Sequence, residues 1–356
     1  MTTDRGTPTA YAVSPDSGEH WTAEGAWEVA DGIHRIPLPL PMDGLRAINV
    51  YVIETDSGLT LVDGGWAIPD ARELLERCLR EIGAGFDDIQ RFLVTHVHRD
   101  HFTLATLLGR ELDVDVALGV HERPALELLN DRERLAGNPF IDVLRSAGAH
   151  EIADEWVRGG PGELPDPALW AFPTTWLEGD HEIPVGKRTL EAVHTPGHTP
   201  GHFVFADREA GLLFAGDHVL PTITPSIGFT VPPTELPLGD FLASLVKVRT
   251  LPDLTILPAH GPVSPSSHTR VDELLVHHEV RLGVSLGSLS SDPSTAHDVA
   301  GHLPWTRHDH PFSELDVFSR GMAAMETKAH LELLVAQGLA TREESPEGVA
   351  FRAVPS

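Results

Sequence analysis

The sequence predicts an α+β protein in which two groups of strands are separated by a helical stretch and followed by further helices. Short apolar or alternating runs separated by turn-like sequences are typical of strands, and they occur in two parts of the chain. Segments with apolar residues three and four positions apart are typical of helices, and they lie between and after those runs. With 356 residues, of which 41% are hydrophobic and 22% charged, the chain can bury a sizeable core.

The first group of strands follows a polar segment at residues 1–24, which has no periodicity and which we expect to be a flexible tail. Three strand-like runs follow in order, GIHRIPLPL, AINVYVIET and GLTLVDGG. Pro69 then begins a predicted helix whose apolar face includes Cys78. Because Cys78 is the single cysteine, an intramolecular disulfide and a cysteine-rich zinc module are both excluded. The elements predicted next are a strand at 91–95, a helix at 102–110 and a strand at 114–120.

A different composition marks residues 121–183, where helical segments such as ERPALELLNDRERL precede a Gly- and Pro-rich break, GGPGELPDP. We expect a mostly helical insertion there. Strands return between residues 188 and 260 in the runs TLEAVH, HFVFAD, GLLFAGD and LTILPAH, with an amphipathic helix before the last of them. The core domain is therefore predicted to extend over residues 25–268.

The C-terminal segment, residues 269–356, is predicted to form a small domain of its own. Residues 271–288 and 313–337 have helical periodicity. The runs GLATREE and VAFRAV, joined by a turn at SPEG, resemble a two-stranded wing. Helices followed by such a hairpin predict a winged-helix-like domain, which could shape a pocket or form a homodimer.

The net charge of the chain is strongly negative, because 26 Lys and Arg residues stand against 53 Asp and Glu residues, a balance of −27. Such a charge disfavours broad binding to nucleic acid or to an anionic membrane. No apolar run reaches the roughly 18 residues that a membrane span needs, and the first residues lack the order of a signal peptide. We therefore expect a cytoplasmic protein that acts on a small molecule.

The segment HVHRDH at residues 96–101 carries four side chains that can ligate a metal, namely His96, His98, Asp100 and His101. It follows the predicted strand RFLVT and precedes a predicted helix, so the four side chains can converge on one point. Imidazole and carboxylate together suit zinc, iron, manganese or nickel rather than a metal that prefers thiolates.

Three further candidate ligands lie at or near the ends of predicted strands. His198 lies in HTPGHTPGH, Asp217 follows LLFAG, and His260 follows LTILPA. Strand ends commonly carry ligands because the sheet fixes the direction of the side chain. With the first four, the set is too large for one four-coordinate zinc, and it suits two metals that share a bridging carboxylate. His194 and His202 flank His198, and we expect loop packing or hydrogen bonding there rather than ligation.

The HxHxDH motif, the later TPGHTPG, the strand-end GD and the final AHG, in that order, resemble the metallo-β-lactamase superfamily over about residues 27–265, with the insertion unmatched. The resemblance implies a four-layer αββα sandwich with two divalent metals at one edge, zinc first and iron or manganese as alternatives. It also implies that Asp217 bridges the metals and that Asp63, in LVDGG, orients a ligand histidine. The implied ligands are His96, His98 and His198 for the first metal and Asp100, His101 and His260 for the second.

Two features place the chain within that family. Asp217 stands where the penicillin-hydrolysing branch often has cysteine, so the site is more similar to the glyoxalase II, lactonase and nuclease branches. His98 stands where the flavin-linked diiron branch usually has glutamate. The resemblance therefore implies a hydrolase.

The implied mechanism is attack on a carbonyl carbon or a phosphorus by a hydroxide that bridges the two metals. Asp100 would orient this nucleophile and shuttle a proton, and Asp100 and Asp217 are the predicted catalytic residues. The first substrate hypothesis is a small thioester, ester or lactone. The insertion contains aromatic side chains that could wall a pocket for it or simply pack the insertion, namely Trp156, Trp170, Phe172 and Trp176.

Three other hypotheses stay open. Cleavage of RNA phosphodiesters is one, because a β-lactamase-like branch with RNA-cleaving members carries a winged-helix domain, but the acidic wing at 343–347 has the wrong charge for phosphate. A metal-binding relic without activity is another, and it is disfavoured because all seven ligand positions are filled. A mononuclear iron persulfide dioxygenase is the third, and it would need as ligands only His96, His198 and Asp217.

Overall fold

The computed structural model describes residues 20–41, 44–136, 138–159, 166–289, 292–305 and 310–355. Most of the expected tail, residues 1–19, lies outside this part of the chain. Trp21 is described and is only 6% exposed, and its carbonyl accepts a hydrogen bond from Arg35. The packed region therefore begins before residue 25, because Trp21 contributes an apolar side chain to the interior.

The first sheet has seven strands in chain order. Antiparallel pairing joins its first four strands, and parallel pairing joins the fourth to the seventh. The strands are β1 (Trp27–Ala30), β2 (Ile33–Pro39), β3 (Ala47–Thr55), β4 (Gly58–Val62), β5 (Ile89–Leu93), β6 (Asp115–Gly119) and β7 (Thr175–Leu177).

The second sheet has five strands, and its last two in the chain pair in parallel while the others pair antiparallel. The strands are β8 (His181–Val185), β9 (Arg188–His194), β10 (Phe203–Asp207), β11 (Leu212–Gly216) and β12 (Thr255–Pro258).

Ten α-helices occur in the described part of the chain. They are α1 (Pro69–Glu81), α2 (Arg99–Leu112), α3 (Arg123–Leu129), α4 (Arg132–Ala136), α5 (Phe140–Ser146), α6 (His150–Gly159), α7 (Pro237–Arg249), α8 (Ser267–Gly287), α9 (Ala296–Ala300) and α10 (Val317–Ala336). As predicted, α1 begins at Pro69 and buries Cys78 on its apolar face.

The two sheets pack face to face with helices on both outer sides. Neighbouring strand residues point to opposite faces, so Leu61 packs with α1 and α2 while Val62 packs against the second sheet. Phe203 and Phe205 of β10 meet that same inner face. On the outer side of the second sheet, Phe241 of α7 packs with the first half of α8. This is the four-layer αββα sandwich, and the predicted fold is confirmed.

The stretch expected to be a helical insertion, residues 121–183, is helical only in its first part. It contains α3 to α6 and then a short 3₁₀ helix at Pro167–Trp170. Its end forms β7, at the edge of the first sheet, and the start of β8, at the edge of the second. The expected mostly helical stretch thus ends in two edge strands, because short edge strands of mixed polarity obtain their order from pairing with a neighbour rather than from a pattern of their own.

The C-terminal segment contains the predicted helices and hairpin. β16 (Ala340–Ser345) and β17 (Gly348–Ala353) form the hairpin, and β13 (Ser294–Thr295) adds a third strand to β17. A two-stranded ribbon, β14 (Pro304–Trp305) and β15 (His310–Pro311), precedes α10. Helix α8 spans the expected boundary at 268/269.

The insertion and the C-terminal segment share one hydrophobic core. Leu144 of α5 and Ile152 of α6 are buried in the same cluster as Leu331 and Leu334 of α10 and Phe351 of β17. These parts of the chain are therefore one packing unit, although α6 and α10 are far apart in sequence. No helix of the described residues is long and apolar enough to cross a membrane.

The shared core gives a stability prediction. Leu331→Ala removes a fully buried side chain between the insertion and the C-terminal segment, and we expect the free energy of unfolding to fall by about 2–5 kcal/mol. Leu339→Ala, at a residue that is 44% exposed, is the matched control and should change it by less than about 0.5 kcal/mol. Chemical denaturation measures both, and equal effects of the two variants would show that no such core exists.

Candidate metal centre

The seven predicted ligands lie at one edge of the sandwich, on four loops and on the first turn of the helix that follows one of them. His96 follows β5, and His98 is the residue from which α2 begins, so Asp100 and His101 lie in the first turn of that helix. The other three come from the second sheet. They are His198 between β9 and β10, Asp217 directly after β11, and His260 two residues after β12.

The structure brings these side chains together as two adjoining clusters. In each cluster, one potential ligand atom per residue lies within 4.8 Å of all the others. The first cluster consists of His96, His98, His198 and Asp217, and the second of Asp100, His101 and His260. All seven residues that the sequence predicted are present, and the two clusters divide them in the way that the family resemblance implied.

Asp217 faces both clusters. Its Oδ2 lies 3.4 Å from Nε2 of His198 and 4.0 Å from Nε2 of His96. Its Oδ1 lies 3.4 Å from Nε2 of His260 and 3.7 Å from Nε2 of His101. One carboxylate thus turns one oxygen to each group of imidazoles, which is the position that a bridging ligand requires.

The donor atoms fit divalent metal ions. His101 Nε2, His260 Nε2 and Asp217 Oδ1 are buried, and none of them has a hydrogen-bond partner among the described residues. A buried polar atom without a partner costs free energy, and a bound cation removes that cost. Nitrogen and carboxylate donors suit Zn²⁺, Fe²⁺ or Mn²⁺. The two clusters could therefore hold divalent metal.

The opposite nitrogen of several rings is fixed by the protein. His260 Nδ1 donates to the carbonyl of Ala47 at 2.8 Å, and His198 Nδ1 donates to the carbonyl of Ser226 at 2.9 Å. His101 Nδ1 donates to Asp63 Oδ2 at 2.9 Å. Each hydrogen bond keeps a proton on Nδ1, so that Nε2 is the nitrogen that faces the cluster and that can bind a metal when it is not protonated.

Asp63, directly after β4, is hydrogen-bonded both to the loop after β5 and to the first turn of α2. Its Oδ1 accepts hydrogen bonds from the backbone N–H of Thr95 at 2.8 Å and from the Thr95 hydroxyl at 2.9 Å, while Oδ2 accepts from His101. Asp63 has a φ of +62°, a left-handed conformation that Asp and Asn tolerate better than most residues. It lies where the sequence analysis expected a residue that orients a ligand histidine.

His202 is close to the first cluster but both its nitrogens are engaged. Nε2 accepts a hydrogen bond from the backbone N–H of Asp217 at 3.2 Å, so the neutral ring donates from Nδ1 to the Thr195 hydroxyl at 2.9 Å. Its ring stacks on that of His96, with centroids 5.1 Å apart. His194 bonds the carbonyl of Pro200 and belongs to neither cluster. These contacts agree with loop support rather than ligation.

The two clusters differ in protonation. Burial and repulsion among the rings lower the pKa of His96, and they lower the pKa of His98 to about 3. Burial acts against protonation of His101 as well, but three carboxylates outweigh it and raise the pKa of His101 to about 10. The first cluster therefore presents neutral imidazoles at pH 7, whereas the second holds a proton on His101. Burial opposes protonation of His260 too, but Asp217 and Asp100 outweigh it and raise the pKa of His260.

Sequence reasoning missed two residues beside the clusters. Thr95 directly precedes His96, and its position as a polar residue ending an apolar strand could have indicated it. Glu122 is fully buried and accepts a hydrogen bond from the hydroxyl of Thr199. It gave no signal, because a glutamate in a charged segment is normally exposed.

Comparison with known proteins gives one family. A model of the metallo-beta-lactamase superfamily matches residues 43–260. The probable metallo-hydrolase YqjP of Bacillus subtilis is 23% identical over 328 residues, which cover 89% of this chain and 96% of the relative. Hydroxyacylglutathione hydrolase GloC of Haemophilus influenzae is 28% identical, with coverage of 62% and 89%. The atrochrysone carboxyl ACP thioesterase of Aspergillus fumigatus is 25% identical, with coverage of 70% of this chain and 46% of that relative, so the chain spans about half of its length.

Two solved structures resemble the whole described architecture. A metallo-beta-lactamase family protein from Thermus thermophilus has a TM-score of 0.74 and 28% identity, and the match covers 92% of this chain and 100% of that one. A beta-lactamase domain protein from Burkholderia ambifaria has a TM-score of 0.77 and 27% identity, with coverage of 92% and 94%. The similarity therefore extends beyond the residues that the family model matches.

Asp63→Asn tests the orientation of His101. The amide group can keep the left-handed backbone, but its NH₂ cannot accept hydrogen bonds from both Thr95 and His101. We expect the metal affinity of the second cluster to fall by about 10–100-fold. Asp113→Asn is the matched control, because Asp113 is exposed and also has a positive φ, of +55°. A chelator competition assay with Zn²⁺ measures both, and an unchanged affinity in Asp63→Asn would contradict the assigned role.

The protonation difference gives a pH prediction. Because the pKa of His101 in the metal-free protein is raised to about 10, a metal that binds the second cluster must displace a proton throughout the neutral range. Its apparent affinity should rise by at least about tenfold per pH unit between about pH 6 and 8, since the raised pKa of His260 adds to the proton release. The rings of the first cluster have lowered pKa values, so affinity there should change much less. Zn²⁺ titrations at several pH values check this, and equal slopes for the two clusters would contradict it.

Proposed function

We propose that this chain, which belongs to the metallo-beta-lactamase superfamily and is a metal-dependent hydrolase, is a dinuclear enzyme that cleaves a small thioester, ester or lactone. The observation that carries the proposal is Asp217, whose two oxygens face two separate groups of imidazoles. A site for one metal would need only the first cluster. The second cluster, with three further donors, has a use only if two metals are bound.

The residues of this chain would divide the chemistry between them. Bound divalent metal supplies Lewis acidity, which lowers the pKa of water toward neutrality and polarises a carbonyl oxygen. Burial opposes ionisation of Asp100, but His101 and His260 outweigh it and lower its pKa, so the carboxylate is ionised. Asp100 can then accept a hydrogen bond from the attacking water and pass a proton to the leaving group. Asp217 holds the two clusters at a fixed separation.

The substrate class rests on three supports. GloC is named as a hydroxyacylglutathione hydrolase and the Aspergillus relative as an acyl carrier protein thioesterase, and both names describe thioester substrates. Asp217 stands in place of the cysteine of many penicillin-hydrolysing relatives. The net charge of −27 favours a small substrate over a polyanion.

The described contacts of the aromatic residues of the insertion favour packing over a substrate pocket. Trp170 is buried against Phe102, with ring centroids 6.3 Å apart, and Trp156 stacks on Phe318 of α10 at 5.7 Å. These two tryptophans pack the insertion onto the rest of the protein. Phe172 is 50% exposed, but the nearby Thr174 is hydrogen-bonded to Asp115 at the start of β6, whereas the loop of His198 lies at the end of that strand.

The alternative activities have weaker support. Phosphodiester cleavage is disfavoured because the arginines of the wing are engaged with carboxylates, Arg342 with Glu332 and Arg352 with Glu343. A mononuclear iron persulfide dioxygenase leaves the second cluster without a role. The predicted cytoplasmic location, small-molecule partner and homodimer stay predictions.

Metal content and substrate class can be measured on the same sample. The protein is purified without added metal, and elemental mass spectrometry is combined with a panel of a p-nitrophenyl ester, a lactone and a thioester. We expect two divalent ions per chain and turnover that a chelator abolishes. One iron per chain without turnover of any panel member would reject the dinuclear hydrolase and direct attention to persulfide oxidation.

Asp217→Ala tests the shared carboxylate. Since both clusters lose a donor, we expect both metals to bind more weakly. We also expect kcat/KM to fall by more than about 100-fold, because loss of a residue that only supports a ligand already costs up to that much. Asp142→Ala, at an exposed position of α5, is the control and should keep the parent activity. If Asp217→Ala kept two tightly bound metals, the bridging role would be rejected.

A further inference from the structure

Glu122 is a fully buried carboxylate that belongs to neither cluster and that the proposed hydrolysis does not use. It ends a short 3₁₀ helix, Val120–Glu122, directly after β6. Burial raises the pKa of its carboxyl group to about 7, against the opposite effect of its hydrogen bonds. A carboxylate in such a position is costly unless donors surround it. The donors around Glu122 therefore indicate what it does.

Those donors come from the two loops that carry the first cluster. The hydroxyl of Thr199 donates to Oε1, and Thr199 directly follows His198. The backbone N–H of Val97, which lies between His96 and His98, is close enough to lower the pKa of the Glu122 carboxyl group. The backbone N–H of Gly201, in the same loop as Thr199, lowers that pKa as well. Oε2 itself has no hydrogen bond of standard geometry with any described residue.

The packing around Glu122 leaves no room for displacement. A Cβ atom added to Gly201 would lie 2.5 Å from Cγ of Glu122, and one added to Gly119 would lie 2.0 Å from the carbonyl oxygen of Gly201. The end of β6 is thus pressed against the loop of His198. Only glycine fits at these two positions, so the backbone of the His198 loop lies directly against Glu122 and the end of β6.

The two loops meet in the first cluster at His98 and His198. Nδ1 of His98 lies 3.0 Å from Nε2 of His198. The carbonyl of Ser226 fixes the outer nitrogen of His198, and a backbone hydrogen bond from Phe203 to the carbonyl of Thr95, at 2.8 Å, joins the two loops at some distance from these histidines. A contact closer to His198 can therefore add to this link and refine the separation of the two imidazoles.

We propose that Glu122 is a positioning residue for the first metal, which fixes His198 relative to His98 by accepting the hydrogen bond of Thr199 and by packing against the loop that carries His198. The role requires a group that only accepts, because every partner is a donor. Glutamine has nearly the same shape but presents an NH₂ to one of those donors. The inference rests on the proposed occupancy of the first cluster by metal.

The test measures Zn²⁺ affinity of the metal-free protein in competition with a chromophoric chelator. The binding step lost in His198→Ala identifies the first cluster, and the step lost in His260→Ala identifies the second. We expect Glu122→Gln to weaken the first step by about 10–100-fold and to leave the second unchanged. Glu127→Gln is the matched control, because Glu127 is exposed on α3 and undergoes the same loss of charge.

Two further variants separate positioning from a general structural role. Thr199→Val removes the hydroxyl at nearly constant volume, so it should reproduce part of the loss, and its effect should not add to that of Glu122→Gln. Thr199→Ser keeps the hydroxyl and should bind Zn²⁺ at the first cluster with the affinity of the unsubstituted protein. A first step of unchanged affinity in Glu122→Gln, or equal weakening of both steps together with a lower unfolding midpoint, would overturn the proposal. If the unsubstituted protein bound no Zn²⁺, the proposed function would fail as well.

Discussion

The site depends on burying one carboxylate, that of Asp217, between two groups of imidazoles. Removing a carboxylate from water costs several kcal/mol, and the surrounding rings must compensate for it. His198 and His260 approach its two oxygens at 3.4 Å from opposite sides. Because these rings come from different loops, the compensation exists only when the ends of β9, β11 and β12 meet the end of β5. The packing of the two sheets is thus a condition for the chemistry.

A buried polar network holds the sheets together near this edge. The side-chain amide of Asn49, on β3, donates to the carbonyls of Pro258 and Gly261, and the Tyr51 hydroxyl donates to the same Pro258 carbonyl at 2.8 Å. The carbonyl of Ala47, on the same strand, orients His260. Strand β3 of the first sheet therefore positions a candidate ligand that belongs to the second, and interior hydrogen bonds of this kind have little freedom to adjust.

The insertion and the C-terminal segment also reach the site, through the chain after Asp217. Arg270 of α8 donates to the carbonyls of Leu220 and Ile223. Phe229 stacks on Phe140 of α5 with ring centroids 4.3 Å apart. Between these anchors lies Ser226, whose carbonyl fixes His198. The peripheral packing unit thus supports a candidate ligand that it does not itself provide.

The sequence alone determined the sandwich, the family and the seven side chains of the two clusters, because strand patterns, strand ends and the HxHxDH spacing are local properties. Tertiary structure decided what depends on distant contacts. It engaged both nitrogens of His202 while leaving Nε2 of His198 toward Asp217, although the two histidines share one loop. It buried Glu122 beside Thr199, paired β7 and β8 with neighbouring strands, and joined the insertion to α10. The environments of these residues and strands are formed by residues up to about 200 positions away in the sequence. No local pattern encodes such contacts.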